Sequence, residues 1–323
     1  MMEASRLERL FKHGATLALV ALFAFGAIRY DHFLSLYNVM SVCRTNAMFA
    51  LVSLGMCFVI MTGGIDLSVG AVAALASVAA AKASPLGVTG GLAAGVAVGF
   101  AAGVVNGLLV TRARLLPFIT TLVTMLAANG CALLLAGNQS VAVSYTSGFT
   151  GIGQGDLGIF PVPALIVAAL YALGSLILHR TSAGRSVLAT GGGEEASRLM
   201  GLRPDATRFA VYAASGALAG LAGVLLAAGS GAGQPTEGVG WELFAIASVV
   251  IGGTLLTGGA GSVLATLAGV LLMGTLFTVL NFENGLGVIS LSAYWQSVIR
   301  GLMLLAVVVL QATVMRRGHR HAT

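Results

Sequence analysis

The chain has 323 residues, of which only 9% are charged, 57% are hydrophobic and 45 are glycine. An average soluble domain carries about 25% charged residues, so the composition excludes a soluble enzyme, a disordered chain and a disulfide-bonded scaffold. Collagen is excluded because the glycines lack a G-X-Y repeat and there are only six prolines, and what remains is a polytopic membrane protein.

Ten apolar segments are candidates for membrane spans. A helix needs about 20 mainly apolar residues to cross a bilayer, and about 17 to 25 are tolerated. Residues 1–28 resemble a signal peptide, but because further apolar runs follow, we interpret this run as the first span. The predicted spans are 14–36, 46–62, 66–82, 87–110, 115–137, 161–178, 209–228, 241–257, 262–281 and 295–314. The predicted fold class is all-α, with one transmembrane domain over residues 1–323, and the short third and eighth spans favour broken or partly spanning helices.

The basic residues predict the orientation of these spans. With the N-terminus in the cytoplasm, thirteen of the 17 Lys and Arg residues lie in cytoplasmic segments, and the outside loops 138–160, 229–240 and 282–294 contain none. The net charge of +6 then faces the anionic inner leaflet. Both termini are therefore predicted to be cytoplasmic, and no nucleic-acid partner is needed to explain the charge. The thirteen are Arg6, Arg9, Lys12, Arg112, Arg114, Arg180, Arg185, Arg198, Arg203, Arg208, Arg316, Arg317 and Arg320.

The residue types of catalytic sites are scarce. Lys12 and Lys82 are the only lysines and neither follows a phosphate-binding glycine loop, so a Walker A sequence is impossible. The five histidines form no H-E-x-x-H pair, and the three cysteines lack metal-ligand spacing. We expect no catalytic residue, metal or cofactor in this chain, and any ATP hydrolysis must occur in another subunit.

One set of glycines has the spacing of a helix-packing surface. Span 4 has glycine at every fourth position from Gly87 to Gly107, and span 7 has Gly216, Gly220 and Gly223. Such a stripe lets a neighbouring helix backbone approach closely. The spacing predicts tightly packed helices.

Two other glycine clusters, Gly63–Gly70 and Gly252–Gly259, follow apolar runs. Double glycine readily ends a helix, and Asp66 or Ser68 can then cap the next one. Because broken helices mark transport sites in several membrane folds, Asp66 has two interpretations, capping and a pathway or gating role. Glu242 and Arg300 either have a functional role within the membrane or lie at its interface. Asn106 and Asn129 either line the pathway or form hydrogen bonds between helices. The candidate pathway or gating residues are Gly63, Gly64, Asp66, Ser68, Asn106, Asn129, Glu242, Gly252 and Gly253.

The segment 179–208 is the one sizeable polar stretch on the predicted cytoplasmic side. Within it, Glu194–Met200 predicts a short amphipathic helix with acidic residues at its start and Arg198 near its end, as the helix dipole favours. Three glycines before it let the chain turn sharply, and an apolar edge suits docking to a partner. A plain surface connector is the alternative. The candidate docking residues are Gly191, Gly192, Glu194, Glu195, Arg198, Leu199 and Met200.

Several stretches resemble the membrane permeases of sugar ABC importers, the group that handles ribose, xylose, arabinose and galactofuranose. The most specific is T-G-G-I-D-L-S-V-G-A at Thr62–Ala71, and the likeness runs from about residue 45 to 311. A string around Gly238–Gly253 looks closest to a galactofuranose permease subunit. The other similar stretches are Asn106–Val110, Leu116–Leu122, Gly191–Gly201 and Ala245–Gly261.

The resemblance implies a helical permease of the bacterial inner membrane that works as a homodimer or heterodimer. Residues 179–208 would be the coupling loop that docks a cytoplasmic ATP-binding subunit, which would hold the ATP and Mg²⁺. A periplasmic binding protein would deliver a monosaccharide. Two positions depart from the family pattern: Phe244 stands where aspartate is usual, and Gly193 where asparagine is frequent.

Three alternatives remain open. An ion-coupled secondary transporter would need an ion site within the membrane, for which Asp66, Glu242 and Arg300 are the credible charged candidates. A non-transporting scaffold would leave the glycine breaks and the docking helix without a use. An ABC permease for a solute other than a sugar is the third.

Overall fold

The computed structural model describes residues 2–285, with side chains from Gly14 to Asn284, and the isolated positions 295, 298, 299, 301, 302, 305 and 309. Most of the predicted span 295–314, Arg300, the basic C-terminal tail and most of the loop 282–294 lie outside the described residues. The predicted position of the C-terminus therefore stays a prediction.

The described part of the chain is mostly helical. Four two-residue strands form two antiparallel pairs, in which β1 pairs with β4 and β2 pairs with β3. In chain order the elements are α1 (Met2–Arg29), α2 (Leu36–Met61), α3 (Val69–Ala83), a 3-10 turn (Ser84–Leu86), α4 (Gly87–Thr111), α5 (Pro117–Ala136), β1 (Val141–Ala142), α6 (Gly151–Gln154), β2 (Asp156–Leu157), β3 (Phe160–Pro161), α7 (Val162–Arg180), α8 (Ser182–Gly192), α9 (Glu194–Leu199), α10 (Pro204–Ser230), β4 (Ala232–Gly233), α11 (Trp241–Ile251) and α12 (Val263–Gly285).

Six stretches of the described residues are long and apolar enough to cross a membrane. One of them, Val69–Thr111, contains two helices, because the chain turns at Gly87 with φ +86° and Gly95 then lies against Ala76 and Ala80 of α3. Two shorter apolar helices, Gly14–Arg29 and α11, accompany the six. The predicted helical, multi-span architecture is confirmed in that the described residues are mostly helical with six candidate spans, and the count of ten stays a prediction.

The first two helices meet at a different place from the one the hydropathy predicted. α1 ends at Arg29, and α2 begins at Leu36, ten residues before the predicted start of the second span. The Ser35 hydroxyl explains this start, because it accepts a hydrogen bond from the Asn38 backbone N–H at 3.2 Å and so caps α2. α2 therefore carries a polar first section that apolar run length could not detect.

Helices α2 and α10 form the centre of the molecule. In each of them 67% of the most apolar window is buried, against 22% in α5 and 28% in α7. The outer helices leave apolar side chains exposed, as the lipid environment of a membrane protein permits. Most of the functional elements described below contact α2 or α10.

The predicted glycine packing is confirmed along α4 and α10. A Cβ at Gly103 would lie 3.0 Å from the Cα atoms of both Ala213 and Gly216, and a Cβ at Gly99 would overlap the backbone of Gly216 and Gly220. Backbones this close leave no room for any side chain. Gly223 allows the same close approach to another helix, because a Cβ there would overlap the backbone of Ala73 in α3.

α3 and α11 are too short to cross a bilayer by themselves. With 15 and 11 residues, they span about 22 and 16 Å, against a hydrocarbon core of about 30 Å. An irregular segment, residues 231–240, runs beside α3, where the Gln234 backbone N–H donates to the Ser77 hydroxyl at 3.0 Å. Irregular backbone at membrane depth needs such cover from protein.

Candidate functional site

The T-G-G-I-D-L-S stretch forms the connection between α2 and α3. Gly63 has φ +79°, a conformation that glycine adopts without steric cost. Gly64 is required for a different reason, because a Cβ there would lie 2.5 Å from the Tyr212 hydroxyl. The loop is thus pressed against α10, and its two glycines permit the chain reversal and the close contact.

Asp66 lies at the centre of a buried hydrogen-bond network. Its Oδ1 accepts from the Ser68 backbone N–H at 3.0 Å and from the Ser68 hydroxyl at 2.6 Å, and its Oδ2 accepts from the Ser215 hydroxyl at 3.0 Å. The side-chain nitrogen of Asn106 donates to the Ser68 hydroxyl at 2.9 Å, and the Thr124 hydroxyl donates to the side-chain oxygen of Asn106 at 2.6 Å. We call these five residues the Asp66 network.

The Asp66 network joins four parts of the molecule: the α2–α3 loop, α4, α5 and α10. Asp66 is 1% exposed and Asn106 is fully buried, and a buried carboxylate is tolerated where its oxygens accept hydrogen bonds. The bond to the Ser68 N–H holds the turn before α3, but the N-cap residue Ser68 has no side-chain cap hydrogen bond, so the predicted capping of α3 is not observed. The bond to Ser215 does more, because it fixes the loop to α10.

Two candidate pathway residues lie apart from this network. Asn129 is half-buried on α5, and no hydrogen bond to it occurs among the described residues. Glu242 lies in the first turn of α11, where an acidic side chain suits the helix dipole. The structure therefore brings together Asp66, Ser68 and Asn106, but not these two.

Gly252 and Gly253 form the end of α11, which lies six residues before the predicted end of the eighth span. Gly253 has φ +83°, and a Cβ at Gly252 would lie 2.7 Å from the backbone of Ala265 in α12. The positive φ stops the helix, and the close contact keeps the following loop against α12. A second pair, Gly258 and Gly259, also has positive φ in this loop.

The polar segment 179–208 contains two short helices. α9 confirms the helix predicted from Glu194, with Met200 as its C-cap and Gly201 at φ +79° behind it. α8 was not predicted, and it corrects the expectation that the glycines form a turn: Gly191 and Gly192 are its last two residues, and only Gly193 lies between the helices. Leu199 and Met200 project outward, 85% and 66% exposed.

Charged side chains attach α9 to the start of α10. Arg198 donates to Glu194 at 3.0 Å and to Asp205 at 2.8 Å, and Arg208 also donates to Glu194. The hydrogen bond from Arg198 is the main cause that lowers the pKa of Glu194, and Arg208 adds to it. Glu195 is exposed beside this cluster. The ion pairs link α9 to the start of α10, and α10 also carries Ser215 of the Asp66 network.

The end of α8 meets both helix breaks at a junction made of backbone. A Cβ at Gly191 would overlap the carbonyl oxygen of Met61, which accepts a hydrogen bond from the Gly259 N–H at 2.9 Å. A Cβ at Gly258 would lie 2.8 Å from the backbone nitrogen of Gly63. We call this meeting of α8, the end of α2 and the α11–α12 loop the glycine junction.

A cavity of about 580 Å³ lies between the α2–α3 loop and the charged cluster. Its wall combines guanidinium, carboxylate, hydroxyl and apolar groups. Gly63 and Gly64 line it, whereas Asp66 does not. The lining residues are Thr62, Gly63, Gly64, Val110, Arg114, Leu115, Pro117, Glu194, Arg198, Asp205, Arg208 and Tyr212.

Several residues of these sites were missed by the sequence interpretation. Thr124 and Ser215 complete the Asp66 network, and Gly258 and Gly259 complete the glycine junction. A signal was present for Thr124 and Ser215, because each is a polar residue in an otherwise apolar span. For the glycine pair the sequence indicated a helix break but not what the break contacts.

Comparison with known proteins identifies the family. The family model described as the permease component of the branched-chain amino acid transport system matches residues 38–308. The ribose import permease of Bacillus subtilis (strain 168) is 40% identical over 302 residues, which cover 93% of this chain and 92% of that protein. The L-arabinose transport system permease of Escherichia coli (strain K12) is 35% identical, with 92% and 89% covered. The fructose import permease of Bifidobacterium longum (strain NCC 2705) is 35% identical, with 94% and 92% covered.

The chain has no significant match among solved structures. The matches nonetheless extend over nearly the whole sequence, and they confirm the resemblance to sugar ABC permeases that the Thr62–Ala71 stretch indicated. The protein is a transporter component and not an enzyme, and it is a multi-pass protein of the bacterial inner membrane. The chain therefore belongs to the permease family of import systems that includes these ribose, arabinose and fructose permeases.

Proposed function

We propose that this chain is the permease subunit of an ATP-binding cassette importer that moves a monosaccharide from periplasm to cytoplasm. The observation that carries the proposal is the match, over more than nine-tenths of the chain, to permeases named for ribose, L-arabinose and fructose. A ribose-like or galactofuranose-like sugar fits best with the motifs. The whole chain acts as one transmembrane domain, residues 1–323, with 179–208 as its coupling loop.

The proposed topology has ten spans with both termini in the cytoplasm. The six candidate stretches supply seven helices, because Val69–Thr111 folds back on itself at Gly87. Gly14–Arg29, the half-helix α11 and the segment 295–314 complete the ten. The basic residues support this orientation, which puts α8 and α9 on the cytoplasmic side.

The docking surface for the ATP-binding subunit is α9 with the end of α8. Leu199 and Met200 are large apolar side chains exposed beside Glu195 and Arg198, and a short amphipathic helix of this kind inserts into a groove on a partner. ATP and Mg²⁺ bind to that partner, and this chain holds no cofactor of its own.

Two routes lead from this surface into the membrane. The ion pairs of Glu194 and Arg198 connect α9 to α10, and Ser215 of α10 holds Asp66. Gly191 meets the end of α2 and the α11–α12 loop directly at the glycine junction. A displacement of α8 and α9 upon ATP binding is passed by these contacts to both broken helices, and their movement opens the path to alternate sides.

The candidate pathway residues have three roles in this mechanism. The Asp66 network holds the gate in one position, because its polar groups are buried and form hydrogen bonds with one another. Gly63 and Gly64 border the cavity, which forms the inner mouth of the path, and Gly252 and Gly253 act as the matching hinge at the end of α11. Asn129 and Glu242 remain candidates for contact with the solute.

Two further partners complete the importer. A second permease subunit, identical or different, provides the other half of the path, and a periplasmic binding protein delivers the sugar and sets its selectivity. The exposed apolar helices α4, α5 and α7 contact lipid or this second subunit.

The test is reconstitution in liposomes with the cognate ATP-binding subunit and binding protein, followed by uptake of labelled ribose, arabinose, fructose and galactose. We expect uptake that needs ATP and the binding protein. Uptake driven by a proton or sodium gradient without ATP would support the secondary transporter and overturn the proposal. ATP-dependent uptake of a solute other than a sugar would overturn the substrate class alone.

The docking surface has its own test. Leu199→Ser removes an apolar contact and should prevent copurification with the ATP-binding subunit. Tyr37→Ser is the matched control, since Tyr37 is 86% exposed but lies in the first turn of α2. Equal copurification of the two variants would contradict the assignment of α9.

A further inference from the structure

The hairpin formed by β2 and β3 exposes an apolar tip. Leu157 pairs with Phe160, and the turn between them has Gly158 at φ +66°. Leu157, Ile159 and Phe160 are 69%, 56% and 49% exposed. Asp156, at the base of the hairpin, is the only charged residue of the whole stretch 138–160. Large apolar side chains in adjacent positions, all facing outward, need an apolar environment.

The hairpin continues the apolar surface of α7. From Val162 to Leu178 the helix offers 17 residues before His179 and Arg180, a length of about 25 Å, which is at the short end of what a membrane span tolerates. The hairpin precedes Val162 directly, and two strand residues add about 7 Å. The hairpin therefore lengthens the apolar surface of a short span.

An ion pair fixes the hairpin at the level of the membrane boundary. Asp156 pairs with Arg44 of α2, and α2 and α7 lie side by side, since the Tyr171 hydroxyl donates to the Ala50 carbonyl at 2.9 Å. From Arg44 to Met61 the helix rises about 26 Å, so Arg44 lies near one edge of the apolar layer. Arginine is favoured at this depth because its apolar stem stays in the layer while its charge faces the headgroups.

We propose that Leu157, Ile159 and Phe160 insert into the headgroup boundary of the leaflet opposite α8 and α9, where they anchor the start of α7 to lipid. A lipid surface fits better than a protein partner. The tip offers no charge or polar side chain that could orient a partner, the carboxylate of Asp156 is already paired, and the apolar run passes without a break into α7. This inference depends on the membrane location and not on the transported solute.

The test uses a nitroxide spin label at Ile159→Cys in lipid nanodiscs of phosphatidylcholine and phosphatidylglycerol. Cys43→Ser and Cys131→Ala remove the accessible thiols, and Cys57 is fully buried. Gln139→Cys is the matched control, since Gln139 is exposed in the same connection between α5 and α7. The label is challenged with oxygen, which concentrates in lipid, and with a water-soluble nickel chelate.

We expect the ratio of oxygen to nickel collisions to be severalfold higher at position 159 than at position 139. Equal ratios would place the tip in water and overturn the proposal. The proposal would also be overturned if the label at 159 were open to nickel until the binding protein was added and shielded only afterwards, because the occupant would then be a protein.

Discussion

Gly191→Ala is the sharpest test of how α8 communicates with the broken helices, and Gly192→Ala is its control. The two glycines are neighbours in the last turn of α8. A Cβ at Gly191 would overlap the carbonyl oxygen of Met61 and the backbone nitrogen of Gly259, whereas a Cβ at Gly192 meets nothing within 4 Å. One added methyl group therefore presses on the glycine junction in the first variant and points into open space in the second.

The expected magnitude follows from this difference. Alanine is favoured over glycine in a helix by about 0.5–1 kcal/mol, and this gain is common to both variants and cancels in the comparison. The overlap at Gly191 involves backbone atoms, which cannot rotate away, and overpacking of this kind costs about 1–3 kcal/mol. If the strain acts on one of two conformations, a cost of this size changes their ratio by about 5- to 150-fold.

The assay measures both variants in liposomes with the ATP-binding subunit and the binding protein, and it records sugar uptake and ATP hydrolysis together. We expect Gly192→Ala to resemble the parent protein. Gly191→Ala should assemble with the ATP-binding subunit and hydrolyse ATP but move far less sugar per ATP. The reason is that the added methyl group displaces α8 from the end of α2, so that movement of α8 is no longer passed on to α2.

The outcome that refutes the reasoning is equal transport per ATP in the two variants. Thermal unfolding and gel filtration of each variant distinguish a loss of transport caused by the junction from a loss caused by misfolding. Should Gly191→Ala fail to fold while Gly192→Ala folds, the junction is tight, as the geometry requires, and transport by Gly191→Ala is then measured at a lower temperature at which the variant stays folded.

Three further predictions concern stability. Asp66→Ala leaves the Ser215 hydroxyl and a backbone N–H without their acceptor, so it should lower the free energy of unfolding by about 1–3 kcal/mol, measured as a lower thermal midpoint in detergent. The control Asn129→Ala should change the free energy of unfolding by no more than about 0.5 kcal/mol. Equal effects of the two substitutions would contradict the network. Gly99→Leu forces a side chain against the backbone of α10 and should abolish the monodisperse gel-filtration peak, so an unchanged profile would disprove the close packing. Glu194→Gln should remove about 0.2–1 kcal/mol at neutral pH. Because ion pairing lowers the pKa of Glu194 in the folded protein, this contribution is present above the unfolded pKa of about 4.3. It is lost as pH falls through the lower folded pKa, so the stability difference between parent and variant should shrink at acid pH. A difference that stays constant as the pH is lowered would contradict the ion pair.

Local sequence patterns predicted the features that depend on spacing along one helix. The four-residue glycine period identified the contact face of α4, because a helix places such residues on one side whatever lies opposite. The acidic start and the Gly201 end identified α9 for the same reason. For Asp66 the sequence predicted either a cap or a pathway role, and the local contact that the structure shows is a hydrogen bond to the N–H of Ser68, two residues away.

Features that depend on distant segments could not be predicted in the same way. Gly191–Gly193 was interpreted as a flexible turn, yet α8 continues through Gly192 because the space at Gly191 is filled by α2 and the α11–α12 loop. Which backbone segments lie against Gly191 depends on the tertiary fold, so the local sequence could not predict them. The partnership of Asp66 with Ser215, 149 positions apart, is a tertiary contact of the same kind.

The two half-helices also determine the electrostatics of the interior. α3 and α11 begin close together, since a Cβ at Gly70 would lie 3.2 Å from the Cβ of Trp241. Each start presents the positive end of a helix dipole, about half an elementary charge. Asp66 precedes α3 by three residues and Glu242 is the second residue of α11, so each positive end has a carboxylate beside it. The two ends together carry about one positive charge, so they offset about half of the negative charge that the two carboxylates carry when both are ionised.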